Sequence, residues 1–183
     1  MNALLLIDIQ QGFDAPVWGA RNNPGAEANA AGLLERWRST GAPVIHIRHV
    51  SVEPGSPLTG DGARFKPEVT PEPGEAIFEK SVNSAFIGTG LQAHLRKEGI
   101  TALTVAGLTT PHCVSTSVRM AANFGFAVTL VSDACAAFET NADTGFDDGP
   151  ALDPETIHRT ALAHLNGEFA TVVPTARALA SAP

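Results

Sequence analysis

Six short apolar runs recur along this chain with helix-forming stretches between them, and that alternation restricts the possible folds more than any other feature. The first run, "ALLLI" at 3–7, is continuous, as a strand covered on both faces requires. The others are "PVIHIRHV" at 43–50, "AIFEK" at 76–80, "TALTVAGL" at 101–108, "FAVTLVSDA" at 126–134 and "FATVV" at 169–173. A helix is predicted from Pro24 to Ser39, with Leu33, Leu34 and Trp37 at helical spacing and Gly41 behind its end. Others are expected around Leu91 and Leu95, from Pro111 to Phe124, and behind an Asp153 N-cap with Pro154 in the first turn. A short helix closes the chain. The Pro/Gly-rich stretch at 54–74 and the acidic stretch at 139–150 read as loops. The pattern predicts an α/β fold: a three-layer αβα, Rossmann-like arrangement with a mainly parallel six-stranded sheet and helices on both faces. No repeat or linker divides residues 1–183, so a single domain is expected.

Composition removes several classes of function. A formal charge of −7 argues against nucleic acid or an anionic membrane as a partner. No apolar run approaches the roughly 18–20 residues needed to span a bilayer. The start, "MNALLLIDIQ", lacks a basic lead-in and reads as a strand rather than a signal peptide. Two cysteines, Cys113 and Cys135, make no disulfide framework, and free thiols in a cytoplasmic chain are expected.

Ligands of open parallel sheets bind beyond the carboxyl ends of the strands, near the point where the strand order reverses. Asp8 ends the first predicted strand, Lys80 ends the third, and Cys113 lies in "GLTTPHCVSTSV" just after the fourth. A thiol at a helix start gains from the helix dipole, and the turn before it offers backbone N–H groups of the kind an oxyanion hole uses. Cys113 has two readings on these grounds, a buried structural cysteine or a nucleophile. Asp8 is either a strand-end hydrogen-bonding group or a base, and Lys80 either a solvated lysine or a cation that holds the thiol pKa down. Taken together they form a Cys–Asp–Lys set in which aspartate serves as the base. Cys135, in "SDACAAF", follows the fifth predicted strand and has no comparable turn.

Other patterns carry less. "GTGLQA" at 88–93 fits a dinucleotide-binding pattern but follows no strand closely. His46 and His49 fall on opposite faces of a strand, which disfavours a shared metal. His112 and Ser115 could meet across a helical turn, without the G-x-S-x-G elbow of a serine hydrolase. Phe13 and Trp18 follow the first strand and either wall a pocket at this edge or simply pack.

The blocks "LLLIDIQQGF", "EKSVNSAFIGTGL" and "VAGLTTPHCVSTSVRMAANFGFAVTLVSDACAAF", with "IHRTALAHLNGEFATVV" near the end, resemble the isochorismatase-like cysteine hydrolases in order and spacing. That family includes nicotinamidases and N-carbamoylsarcosine amidases. The resemblance implies Asp8 as general base, Lys80 as its lysine and Cys113 as nucleophile. It also implies a cis peptide between Leu108 and Thr109, aiming the N–H groups of Thr109 and Cys113 at an oxyanion. Where nicotinamidases carry an Asp-x-His metal motif this chain has "HIRHVSVEPGSP", so neither zinc nor any other cofactor is expected. Phe13, Trp18, Asn83, His112 and Phe138 are the candidate substrate contacts, and the family implies a homo-oligomer acting on a small molecule. Three readings follow: an amidase-type thiol hydrolase, a vinyl-ether hydrolase using Asp8 as acid, or a family member kept only for ligand capture.

Overall fold

The computed structural model describes every residue of the chain except Asp147, which falls within the acidic 139–150 stretch. Six strands form one sheet: β1 (Asn2–Ile7), β2 (Val44–His49), β3 (Ala76–Lys80), β4 (Ala102–Leu108), β5 (Ala127–Ala136) and β6 (Thr171–Val173). Their spatial order is β3-β2-β1-β4-β5-β6, and all five pairings are parallel. The chain winds outward from β1 through β2 and β3, then returns to β4 and winds the other way. The reversal therefore falls between β1 and β4, where a crevice opens beyond the strand ends.

Side-chain alternation along β1 sorts the core into two layers. Leu4 and Leu6 point to one face, where they join Ala30, Leu33, Leu34 and Trp37 of α1 (Ala26–Thr40) and Ala178 of α5 (Thr175–Ala180). Ala3, Leu5 and Ile7 point to the other. There they meet Leu91 and Leu95 of α2 (Leu91–Lys97), Val118 and Ala121 of α3 (Ser115–Asn123) and Leu165 of α4 (Pro154–Leu165). Each buried leucine contributes on the order of 1.5–3 kcal/mol by leaving water, so both layers are well anchored. The helix from Asp153 starts as the sequence predicts, with the Asp153 carboxylate accepting from the Thr156 N–H at 3.0 Å.

Three details differ from the sequence reading. The fifth strand runs to Ala136 because a register shift between Val105 and Gly107 lets pairing resume at Gly107–Cys135, so Cys135 lies inside the strand instead of after it. The predicted helix at 111–124 opens with a wider π-type turn, Thr110–Val114, before α3 begins. The 54–74 stretch contains two short 3-10 turns, Gly60–Ala63 and Pro67–Val69. Its Lys66 is buried and bonds Asp14 at 2.5 Å and Glu27 at 2.9 Å, which fastens the stretch beside β1.

Candidate active site

β1 ends at Ile7, and the next residue leaves the strand in the left-handed region: Asp8 has φ +52°. Its N–H still bonds the Ile47 carbonyl at 3.0 Å, so the backbone stays tied to β2 while the side chain turns into the crevice. Gly107 makes this possible on the β4 side. Its φ is +140°, and a Cβ there would stand 2.0 Å from the Ile7 carbonyl oxygen. Only glycine lets the two central strands approach so closely at their ends.

Lys80, the last residue of β3, sends its side chain across β2 to meet Asp8. Its Nζ lies 2.6 Å from Asp8 Oδ2, 3.0 Å from His49 Nδ1 and 3.3 Å from Cys113 Sγ. An ammonium has three hydrogens, and each is matched by one acceptor. The Lys80 and Asp8 side chains are wholly buried, and Cys113 is only 8% exposed. Asp8 Oδ1 has no hydrogen-bond partner among the described residues, leaving one carboxylate oxygen free to take a proton.

The charges settle in an instructive way. Burial pushes the Asp8 carboxyl up from its ordinary value, and the Lys80 ammonium only partly opposes this. Burial, reinforced by the Asp8 charge, pushes the Cys113 thiol up to about 12. Lys80 does act to hold the thiol pKa down, as expected, but desolvation outweighs the single cation. Burial thus favours the protonated form of the Cys113 thiol and raises the proton affinity of the neighbouring Asp8 carboxyl.

Asp8, His49 and Cys113 also offer three metal-type ligand atoms within 4.8 Å of one another. Lys80 Nζ stands within hydrogen-bonding distance of all three residues, so the position of a cation is already filled by an ammonium. A metal there would have to displace it.

A model of the isochorismatase domain matches residues 2–177. The chain belongs to the isochorismatase family. It is 45% identical over 177 residues to the uncharacterized isochorismatase family protein YrdC of Bacillus subtilis, covering 94% of this chain and 91% of that one. A maleamate amidohydrolase of Pseudomonas putida is 31% identical over 156 residues, 72% of this chain and 70% of its own. A crystal structure described as an isochorismatase-family hydrolase from Chromobacterium violaceum matches with TM-score 0.92 at 49% identity, covering 98% of this chain and 92% of that one.

In this member of the isochorismatase family the remaining candidate residues separate into groups. Asn83 joins the cluster, its Oδ1 lying 3.8 Å from Cys113 Sγ. Phe13, Trp18 and Phe138 meet one another, with ring centroids 5.1, 5.7 and 6.0 Å apart, and pack with Leu108 just before the turn that carries Cys113. The Leu108–Thr109 peptide is cis. Thr109 is buried, and its carbonyl accepts from the N–H groups of His112 and Val114. His112 itself is exposed beside the Asn141 backbone. Ser115 Oγ takes a long bond from Arg119 rather than pairing with His112. His46 bonds Glu75 at 2.8 Å, apart from His49. The "GTGLQA" stretch begins eight residues beyond the end of β3 and runs into the first turn of α2, so no strand feeds it directly. A cavity of about 460 Å³ lies away from the cluster, lined by residues including Asn23, Ser132, Glu155 and His158.

Two members of the site escaped the sequence reading. His49 ends β2 and pairs directly with Lys80 in the sheet register, so the strand-end rule that picked Asp8 and Lys80 applies to it equally. Gln10, fully buried, holds His49 in place: its Oε1 accepts from the His49 N–H at 2.7 Å and its Nε2 donates to the His49 carbonyl at 2.9 Å. A glutamine three residues past a strand carries no such signal in sequence.

Proposed function

We propose that this protein is a cysteine hydrolase of small amide-type compounds, with Cys113 as nucleophile, Asp8 as general base and acid, and Lys80 as the supporting cation. The observation that carries the reading is Lys80 Nζ, bonded at once to Asp8 and to the Cys113 sulfur. As Sγ attacks a carbonyl carbon, Asp8 takes the thiol proton and the ammonium offsets charge on sulfur. The N–H groups of Thr109 and Cys113 hold the oxyanion. Protonated Asp8 then delivers its proton to the nitrogen as the C–N bond breaks, leaving a thioester and a free amine or ammonia. Water loses a proton to Asp8 and attacks the thioester carbonyl. Collapse releases the carboxylic acid, and the proton on Asp8 returns to Cys113. The aromatic trio of Phe13, Trp18 and Phe138, with Asn83 and His112, would line the substrate's approach. The name of the Pseudomonas putida relative, an amidohydrolase, points to the same bond class. Release of ammonia or amine from a panel of small primary amides, lactams and carbamoyl compounds tests the proposal. Turnover is expected to vanish in Cys113→Ala with the fold intact; a Cys113→Ala enzyme at full activity would overturn it.

The raised pKa of Asp8 favours one second reading. A carboxyl that keeps its proton could act as the acid in vinyl-ether hydrolysis, with Cys113 a bystander. In that case Cys113→Ala stays active and Asp8→Asn does not.

A further inference from the structure

His158 is a buried histidine of α4, 4% exposed, that the scheme above leaves unused. Its Nδ1 lies 2.8 Å from the hydroxyl of Thr110, which is wholly buried and opens the π-type turn carrying Cys113. Its Nε2 lies 3.3 Å from Asn23 Nδ2. The same Asn23 nitrogen faces two backbone carbonyls, Cys135 at 2.7 Å and Ser132 at 3.2 Å. A group facing two carbonyls must be the NH2 end of the amide, so the orientation of Asn23 is determined by its acceptors. An NH2 cannot accept a hydrogen bond. The facing ring nitrogen therefore carries no hydrogen, and the single proton of a neutral imidazole sits on Nδ1. It follows that His158 donates to the Thr110 oxygen, leaving the Thr110 hydroxyl hydrogen free for another acceptor.

From this chain of contacts we infer that His158 is a positioning residue for the nucleophile turn: through a fixed Nδ1–H donor it holds Thr110, and with it Thr109 and Cys113, against the end of β5. Asn23 is the anchor, tying the ring to the Ser132 and Cys135 carbonyls of that strand. Asn22 reinforces the same junction, bonding Glu155 of α4 at 2.9 Å and the Ala137 N–H at 2.8 Å. His158 touches no reacting atom. Its effect is on the placement of the oxyanion donors, which must be correct to a fraction of an ångström.

The inference rests on the thiol-hydrolase reading, and the test separates the two. In an asparagine side chain the amide nitrogen takes the place of Nδ1, while in glutamine it takes the place of Nε2. With a substrate from the amide panel, His158→Gln and Thr110→Val should each lower kcat about tenfold with KM within about twofold. His158→Asn and Thr110→Ser should stay within about threefold of wild type, although all four variants lose thermal stability. The double variant His158→Gln/Thr110→Val should fall no further than either single one. Equal losses for His158→Asn and His158→Gln, or an unchanged kcat in His158→Gln, would overturn the inference. A Cys113→Ala enzyme that remains active would instead sink the thiol mechanism. A readout without substrate decides independently: long-range proton–nitrogen NMR of the whole protein should find the His158 proton on Nδ1, with its resonance moved by Thr110→Val. A proton on Nε2 overturns the inference.

Discussion

His49 Nδ1 lies 3.0 Å from Nζ of Lys80, the residue directly opposite it across the β2–β3 pairing. An ammonium donates and cannot accept, so Nδ1 is the acceptor and the imidazole proton sits on Nε2. Burial, with the Lys80 charge beside it, pulls the His49 pKa down to about 4. His49 is thus a neutral ring that aims the cation, not an acid or a base, over the range where the protein would work. Replacing it with alanine frees one hydrogen of Lys80 and should lower kcat about tenfold. The pH–rate profile of the wild type should show no limb from His49 between about pH 5 and 8, and its imidazole signals in NMR should stay unshifted there.

Lys80→Met removes the cation while roughly keeping the volume. A loss of about a hundred- to a thousandfold in kcat is expected, because charge on sulfur and proton transfer to Asp8 both lose their support. The melting temperature should fall as well, since Asp8 is left buried and unpaired. Adding Asp8→Asn should restore part of the stability and none of the turnover. A double variant no more stable than Lys80→Met would argue against a buried ion pair.

Gly107→Ala should be among the most damaging single changes in the chain. The added methyl meets the Ile7 carbonyl oxygen at 2.0 Å in a backbone conformation that L-residues rarely adopt. A loss of about 3 kcal/mol or more is expected, read from denaturant unfolding of whatever folded protein is recovered. A Gly99→Ala control, at a positive φ but with open space around it, should cost less.

Acid should destabilise the fold through a cluster remote from Cys113. His46 is buried, its pKa lowered chiefly by burial, and its ring bonds Glu75 at 2.8 Å. Burial alone would raise the Glu75 carboxyl, yet its bond to Arg38 and its other partners hold it down to about 2. Both folded-state values lie below the free ones of 6.5 and 4.5, so both groups contribute stability at neutral pH. That stability is lost as pH falls, first below 6.5 as protonation of His46 is resisted, then from 4.5 toward 2 as Glu75 is neutralised. Melting temperatures measured from about pH 7 to pH 3 should decline, and Glu75→Gln should flatten the lower part of the curve.

Much of this molecule was legible because periodicity and strand ends are local signals. Continuous apolar runs located the strands, and Asp8, Lys80 and Cys113 were found by asking what stands at the carboxyl edge. What stayed hidden depends on distance in space. The extension of β5 through Cys135 follows from a register shift against β4, which no stretch of one strand announces. The link from His158 to Thr110 joins residues 48 apart in sequence. His49 was readable by the same strand-end rule but was weighed only as a metal ligand. Lys80 lowers the thiol pKa as its charge suggests, but the larger effect of burial depth cannot be counted from letters.

Asp8 and the Cys113 turn come from the two central strands, whereas Lys80 arrives from β3 at the margin of the sheet. A five-residue margin strand with one paired neighbour is among the first elements to detach when a protein breathes. Each such excursion withdraws the ammonium from the crevice and lifts Ala76 and Phe78 from one apolar layer, while Asp8 and the Cys113 turn stay on the central strands. Catalytic competence and global foldedness are thereby uncoupled: under gentle denaturation, turnover should fade before the bulk of the sheet lets go.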